Sequence, residues 1–361
     1  GNGIDPIDVV EQFGADAMRY TLVSAASIGT DIQLDHSDLE ASFKVGRNFA
    51  NKIWNAARFA LGGLTERDLA QLPSGTRLEV ADRWILSRFG AASRKITEDL
   101  DRFRLHEVAE ETYQFVWGDF CDWYLELAKP RLRGDRGPES RDAAASTLAF
   151  VLDGWLRLLH PVMPFITEEL FCHLPGRGVE DTLLKGPWPS GSDMELWPDA
   201  EAAMDELQDL VGSVRNLRAE YGIDPGRKID VVISSISNEL QAALAEEEAG
   251  ALSLARLSSL SREDAIPSGI PGAHAVLRSG VEVFLPLEGV VDIERERERI
   301  TTELDRLKGL LEAATTKLAN PEFANRAPVE VVEREREKAH SFGQRRERLL
   351  EKRDAFLMPD E

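Results

Sequence analysis

Apolar residues recur at three- and four-residue intervals through most of this chain, the spacing that lines one face of a helix. Phe13, Ala17, Tyr20 and Val23, following the lead Ile4 to Val10, predict a short helical element. Ser37 and Glu40 have capping-box spacing, and Phe43, Phe49, Ile53 and Trp54 then mark a helix running to the Gly62-Gly63 stop. Beyond a turn at Pro73-Ser74-Gly75, Asp82 is placed to cap a helix with Ile85, Phe89, Ala92, Ile96 and Leu100 on one face. The segment from Leu105 to Lys129 is the most aromatic of the chain and is predicted to stop before Pro130. A further helix spans Arg141 to His160, Pro161 ends it, and Pro164 opens another. Together these segments predict an antiparallel helical bundle, closed by an aperiodic Pro-, Gly- and Trp-rich connection from about 175 to 200.

The pattern then changes. A helical stretch from Glu201 to Tyr221 leads through Asp224-Pro225-Gly226 into Ile229, Val231, Val232 and Ile233, a strand-like run. A helical segment from Glu239 to Leu257 separates this strand from a hairpin, Ala273 to Arg278 and Val281 to Leu285, split by Ser279-Gly280. Ile293, Arg297, Ile300, Leu304, Leu307, Leu311, Ala314 and Leu318 then keep the alternating four-three spacing of a coiled-coil seam. After a break at Asn320-Pro321 and Pro328, a second helix carries Val332, Ala339, Phe342, Leu349 and Phe356 on one face, so the pair is predicted to fold back on itself. The expected fold class is mainly α: an antiparallel helical bundle, a small α/β subdomain and a C-terminal antiparallel coiled-coil hairpin. The expected domains are a lead-in segment at 1–36, the bundle at 37–200, the mixed subdomain at 201–289 and the arm at 290–361.

Composition narrows the function. With 361 residues, 43% of them hydrophobic, the chain can build packed cores. No run approaches the roughly 18 apolar residues that cross a bilayer, so no membrane association is expected. The opening Gly1-Asn2-Gly3 lacks both an initiator Met and a signal-peptide profile, and Cys121 and Cys172 are too few for a disulfide framework, so a fragment from a reducing cytoplasm is the expectation. The net charge is −21, yet residues 290–361 hold 15 basic and 17 acidic side chains, which leaves −19 on the rest. Acidity opposes indiscriminate nucleic-acid binding, and any such binding must be local.

No phosphate loop or nucleophile elbow is visible, and the six histidines are scattered, so neither a catalytic centre nor a metal site is expected in this chain. More informative is the run Arg47-Asn48-Phe49-Ala50-Asn51-Lys52-Ile53-Trp54-Asn55-Ala56-Ala57-Arg58-Phe59, whose Arg47, Asn51, Lys52, Asn55 and Arg58 recur at helical intervals. Amides pair with base edges, cations meet phosphates and an exposed aromatic stacks on an unpaired base, the chemistry that reads a single-stranded RNA loop. By spacing alone, a solvated face over a core of Phe49, Ile53 and Trp54 is the favoured explanation of the run. The aromatic cluster Tyr113 to Tyr124 reads as core, with Asp119 and Asp122 making structural polar contacts.

The same residues carry a resemblance. RNFANKIWNAARF, ADRWILSR (81–88), GDFCDWYLELAK (118–129), HPVMPFITEEL (160–170), VRNLRAEYGIDPGRKI (214–229), GVEVFLPLEGVVDIE (280–294) and LANPEFANRAPVEVVEREREK resemble the valyl-tRNA synthetase family, in order. The opening GNGIDPIDVVEQFGADAMRYTL is similar to the segment just after that family's KMSKS loop, and neither KMSKS nor HIGH is found here. The resemblance implies a C-terminal part, with an anticodon-binding bundle and an arm that leans on the corner of tRNA. It implies a parent ligase that joins valine to tRNA(Val) through a valyl-adenylate, using ATP and Mg, while this chain holds no cofactor and is inactive alone. Partners would be tRNA(Val) and the catalytic and editing domains of the same enzyme, in a monomer. Candidate anticodon contacts are Arg47, Asn48, Asn51, Lys52, Trp54, Asn55 and Arg58; candidates for the tRNA corner are Arg345, Arg346, Arg348, Lys352 and Arg353. Asn2, Asp5, Asp16 and Arg19 would lie beside the KMSKS loop. The alternatives are a stand-alone, non-catalytic tRNA-binding protein and the related isoleucyl-tRNA synthetase, whose usual cysteine-rich zinc end this chain lacks.

Overall fold

The computed structural model describes residues 3–354 apart from 28, 30, 69–77, 179, 193, 268 and 321–328. Asn2, the Pro73-Ser74-Gly75 turn, Pro321, Pro328 and Phe356 therefore lie outside the described residues. The fold is mainly α, with a helical bundle, a small mixed sheet and a helical hairpin. Contacts divide the chain into two units, one of residues 1–205 with 242–250 and one of 206–241 with 251–361.

In the first unit, α1 (Pro6–Phe13) and α2 (Ala15–Ala25) precede the long α3 (Leu39–Gly63). α2 lies so close on α3 that a Cβ at Gly46 would stand 2.3 Å from the Ala17 carbonyl oxygen. The cap of α3 differs from the Ser37 box: Asp38 accepts from the Ala41 amide at 2.9 Å, while Ser37 donates to Asp35. An Asx turn thus engages Ser37 before the helix begins, and the carboxylate takes the cap.

α4 (Val80–Asp101) starts three residues earlier than expected, with Glu79 as cap and Asp82 completing the box. Asp82 is fully buried and accepts from both terminal nitrogens of Arg131 (2.9 and 2.6 Å) and from the Tyr124 hydroxyl (2.9 Å). Ser140 donates to Glu79 at 2.6 Å and accepts from Arg131 at 3.0 Å. This network explains why the helix does not stop at Pro130. α5 (Leu105–Tyr113), a π-helical stretch (Gln114–Tyr124) and α6 (Leu125–Leu132) run on through the proline. Arg131, one residue beyond it, is held on the buried carboxylate, an anchor strong enough to offset the lost amide donor.

α7 (Pro138–Leu159) begins at Pro138, after Gly137 in the left-handed region, and not at Arg141. Pro supplies the pre-set φ of a first helical position. α8 (Pro164–Phe171) opens on Pro164, as the sequence predicts, and its first amides are capped from α2: Asp16 accepts from Phe165 (3.3 Å) and Ile166 (2.6 Å). Arg19 donates to the carbonyls of Pro161 and Val162 at 2.9 and 3.0 Å. Burial raises the Asp16 carboxyl above its ordinary value, against the two amides and Arg19.

α9 (Pro198–Glu220) leads to β1 (Ile229–Ser234), and α10 (Asn238–Ala255) to β2 (Leu257–Arg262). With β3 (Gly272–Val276) and β4 (Glu282–Pro286) they form a sheet of order β2-β1-β4-β3, in which only β1 and β2 are parallel. β2 is absent from the sequence reading. Its Leu-Ser-Ser-Leu-Ser-Arg carries two apolar residues because it is an edge strand, and Ser258 and Ser259 donate to Asp230 on β1 (2.8 and 2.5 Å).

α11 (Ile293–Ala319) and α12 (Val329–Asp354) pack antiparallel: Lys317 pairs with Glu335 at 3.2 Å and Arg345 with Glu303 at 3.0 Å. Ile300, Leu307 and Ala314 are buried at seven-residue intervals, and Leu304, Leu311 and Leu318 between them are half-buried. A two-helix seam shields one line of residues fully and the next only in part.

Candidate nucleic-acid interface

α3 divides into two faces. Phe43, Gly46, Phe49, Ile53, Ala56, Ala57 and Ala60 are buried at three- and four-residue steps, which fixes the rotation of the helix. That rotation turns Asn48, Asn51, Asn55 and Arg58 together into solvent, on the stripe opposite the core. Within an acidic chain the helix is locally basic, with Lys44, Arg47, Lys52 and Arg58 against Glu40. Three amides, each with donors and an acceptor, therefore stand in line with a guanidinium on an open helix face.

The flanks of the stripe are engaged. On one side Arg47 makes a two-point ion pair with Glu40 (2.7 and 2.5 Å) and lies over the Phe13 ring at 5.6 Å. Hydrogen bonding to Arg47 holds the Glu40 carboxyl below its ordinary value. Trp54, which the core reading would bury, is 38% exposed on this side. On the other side Lys52 donates to Asp122 at 2.7 Å, and its ammonium sits 4.9 Å above the Trp117 ring. Trp117 stacks on Tyr113 at 5.3 Å between centroids, and Tyr113 packs on Phe49 at 4.9 Å. Phe59, exposed by 45%, lies beyond Asn55 with Lys129 over its ring at 4.9 Å.

Sequence spacing thus groups Asn51, Asn55 and Arg58, which stand outward together, with Arg47 and Lys52, which the structure turns to the flanks, omits Asn48, and misses the company that Lys52 keeps. Trp117 and Asp122 are five residues apart, an interval that no α-helical template groups. Asp119, by contrast, pairs with Arg88 at 2.9 Å, and burial raises its carboxyl despite that cation. The aromatic segment is mostly core, with Phe115, Phe120 and Tyr124 buried and Tyr113 and Trp117 half-buried at its edge.

In the arm, Arg345 is engaged by Glu303 of the facing helix; Arg346 is exposed and Arg353 half-buried. The side chains of Arg348 and Lys352 lie outside the described residues. In the lead-in, Asp5 caps α1 through the Ile7 amide at 2.8 Å, whereas Asp16 and Arg19 hold the turn before α8.

Residues 82–233 match the family model described as the anticodon-binding domain of tRNA ligase, and residues 292–356 match the valyl tRNA synthetase tRNA binding arm. A valine–tRNA ligase of Carboxydothermus hydrogenoformans is 39% identical over 99% of this chain, and one of Thermosynechococcus vestitus is 42% identical over 92%. The chain belongs to the valyl-tRNA synthetase family. It spans about two fifths of the length of these relatives, 39% and 37% respectively. The Bacillus subtilis valine–tRNA ligase is 36% identical over 99% of the chain and 40% of its own length. A solved chain from the ternary complex of Agrobacterium radiobacter K84 agnB2 LeuRS-tRNA-LeuAMS overlaps 69% of this one and 27% of itself at a TM-score of 0.40 and 20% identity, too loosely to carry an argument. Within the family assignment, the anticodon-binding match begins at Asp82. It contains Trp117 and Asp122, and α3 precedes it.

Proposed function

We propose that this chain is the tRNA-binding portion of a valine–tRNA ligase, with the outward face of α3 reading the anticodon of tRNA(Val) and the arm resting on the tRNA corner. The single observation that carries the reading is the solvent stripe Asn48, Asn51, Asn55 and Arg58, presented by a helix whose opposite face is locked in the core. Arg47, Lys52 and Trp54 border it. The family matches support the class of partner, and the arm match favours a valyl over an isoleucyl enzyme. The parent enzyme would activate valine with ATP and Mg as an adenylate and pass it to tRNA(Val), acting in the cytoplasm as a monomer. The catalytic and editing domains would lie elsewhere in that enzyme, and this chain by itself would not charge tRNA.

The test is a mobility-shift titration of the chain with tRNA(Val) and with the same tRNA carrying a changed anticodon, at one moderate salt concentration. Tighter binding of the valine anticodon is expected, and Asn55→Ala lowers that affinity about tenfold, the size of one lost base contact, with little effect on the changed anticodon. Equal binding of the two tRNAs by the unaltered chain would sink the anticodon assignment.

A further inference from the structure

The π-helical stretch has a geometric consequence at the edge of the α3 stripe. Along an α-helix of 3.6 residues per turn, residues five apart diverge by about 140° around the axis. In a π-helix the hydrogen bonds run between residues five apart, so such residues fall on nearly the same side. Gln114–Tyr124 winds in this way, and Trp117 and Asp122 both reach Lys52: the ring from 4.9 Å and the carboxylate at 2.7 Å. Tyr113, stacked on Trp117, carries the assembly back to Phe49 in the core of α3.

Stability does not account for this arrangement. Lys52 and Asp122 keep 32% and 46% of their side-chain surface in water, where an ion pair contributes little. Its effect falls on the lysine itself. A lysine on a flexible four-carbon stem is a mobile point charge that goes to any phosphate. Here the carboxylate takes one ammonium donor and the ring takes one side, which restricts the directions left to the remaining donors at the border of the stripe. The carboxylate also cancels the charge of Lys52 toward distant phosphates.

We propose that Asp122, together with Trp117, is a specificity-determining positioning residue for Lys52: it holds the ammonium to donate to a nucleobase of the bound loop and suppresses indiscriminate phosphate binding. This inference rests on the reading of α3 as the anticodon face. A free lysine at this site would raise affinity for every tRNA; a held one raises it only where a base acceptor meets it.

The test is the affinity of the full chain for tRNA(Val) and for its changed-anticodon counterpart, measured from low to moderate salt for the unaltered chain and for Asp122→Asn, Asp122→Glu and Trp117→Phe. For Asp122→Asn the expected result is a preference for the valine anticodon reduced at least fivefold, through both weaker matched and stronger mismatched binding. The slope of log affinity against log salt should steepen by about one as the freed ammonium takes a phosphate. Asp122→Glu, which restores the carboxylate, should keep the preference within about twofold to threefold, and Trp117→Phe, which keeps a smaller ring, should lose an intermediate share. If the unaltered chain prefers the valine anticodon while Asp122→Asn changes neither preference nor slope, the positioning role is overturned and the anticodon face stands. Equal loss for both tRNAs with an unchanged slope also overturns it, as a purely structural effect. No preference in the unaltered chain removes both.

Discussion

Glu247 lies 2% exposed within α10, where its own backbone leaves helical geometry (φ −117°, ψ 19°), and its Oε1 has no hydrogen-bond partner among the described residues. Burial, reinforced by Asp82 and Glu79 and opposed by Arg131 and Arg136, pushes its carboxyl up to about 8 from an ordinary 4.5. The folded chain therefore holds this proton more tightly than the unfolded chain does. Between about pH 4.5 and 8 the folded state binds more protons, and stability falls as pH rises through that window. Glu247→Gln, which cannot ionise, should melt several degrees above the unaltered chain at pH 8.5 and close to it at pH 5. Thermal unfolding followed by circular dichroism across this range checks it, and a constant difference at all pH values would contradict the assignment. The residues of the α3 stripe have no such internal role: Asn48, Asn51 and Asn55 point to water, so their replacement should leave melting unchanged while altering tRNA binding.

Among the elements, the join of α2 to α3 depends on a missing side chain. Gly46 occupies the buried face of α3, and any Cβ there would meet the Ala17 carbonyl oxygen at 2.3 Å and the Thr21 hydroxyl at 2.8 Å. Alanine is the better helix former by about 1 kcal/mol, so propensity alone argues for the replacement. Packing decides otherwise, because the obstacle is backbone and cannot swing aside. Gly46→Ala should destabilise the first unit by about 1–3 kcal/mol, read as a lower urea midpoint. A stabilised variant would mean that α2 does not pack on α3 this closely. The π-helical stretch is the second element whose form is set by its surroundings. Buried Tyr124 is tied to Asp82 at its end, while Trp117 and Asp122 face Lys52 along it.

At the scale of the whole molecule, charge is distributed unequally. Residues 290–361 are nearly neutral, with 15 basic and 17 acidic side chains, while the rest of the chain carries −19 of the −21. Such a body repels nucleic acid except where a local surface, such as α3, is basic. Charge reversal in the arm should therefore weaken binding without regard to the anticodon. Arg345→Glu with Arg346→Glu should lower affinity for matched and mismatched tRNA alike, by about tenfold or more at 100 mM salt, and should flatten the salt slope by about two. Electrophoretic titration of both tRNAs measures this, and a selective loss of the matched complex would move anticodon reading to the arm.

Local periodicity by itself determined where the helices lie, though not where α4 and α7 begin or that α6 passes Pro130. It also determined the β1 strand, the β3–β4 hairpin and the seam of the arm, since burial of one face at 3.6- or two-residue spacing is written in the order of residues. The same spacing grouped Arg47, Asn51, Lys52, Asn55 and Arg58 on one face, of which the structure exposes Asn51, Asn55 and Arg58 and sets Arg47 and Lys52 at the borders, and the family resemblance extended over motifs that run almost the length of the chain. Tertiary structure decided what depends on partners distant in sequence. β2 exists because an edge of β1 accepts a serine-rich strand, and α6 continues past Pro130 because Arg131 finds Asp82 forty-nine residues away. Lys52 is held by Asp122 across seventy residues. Spacing cannot show such pairings, because the energy that fixes them belongs to the contact and not to either segment alone.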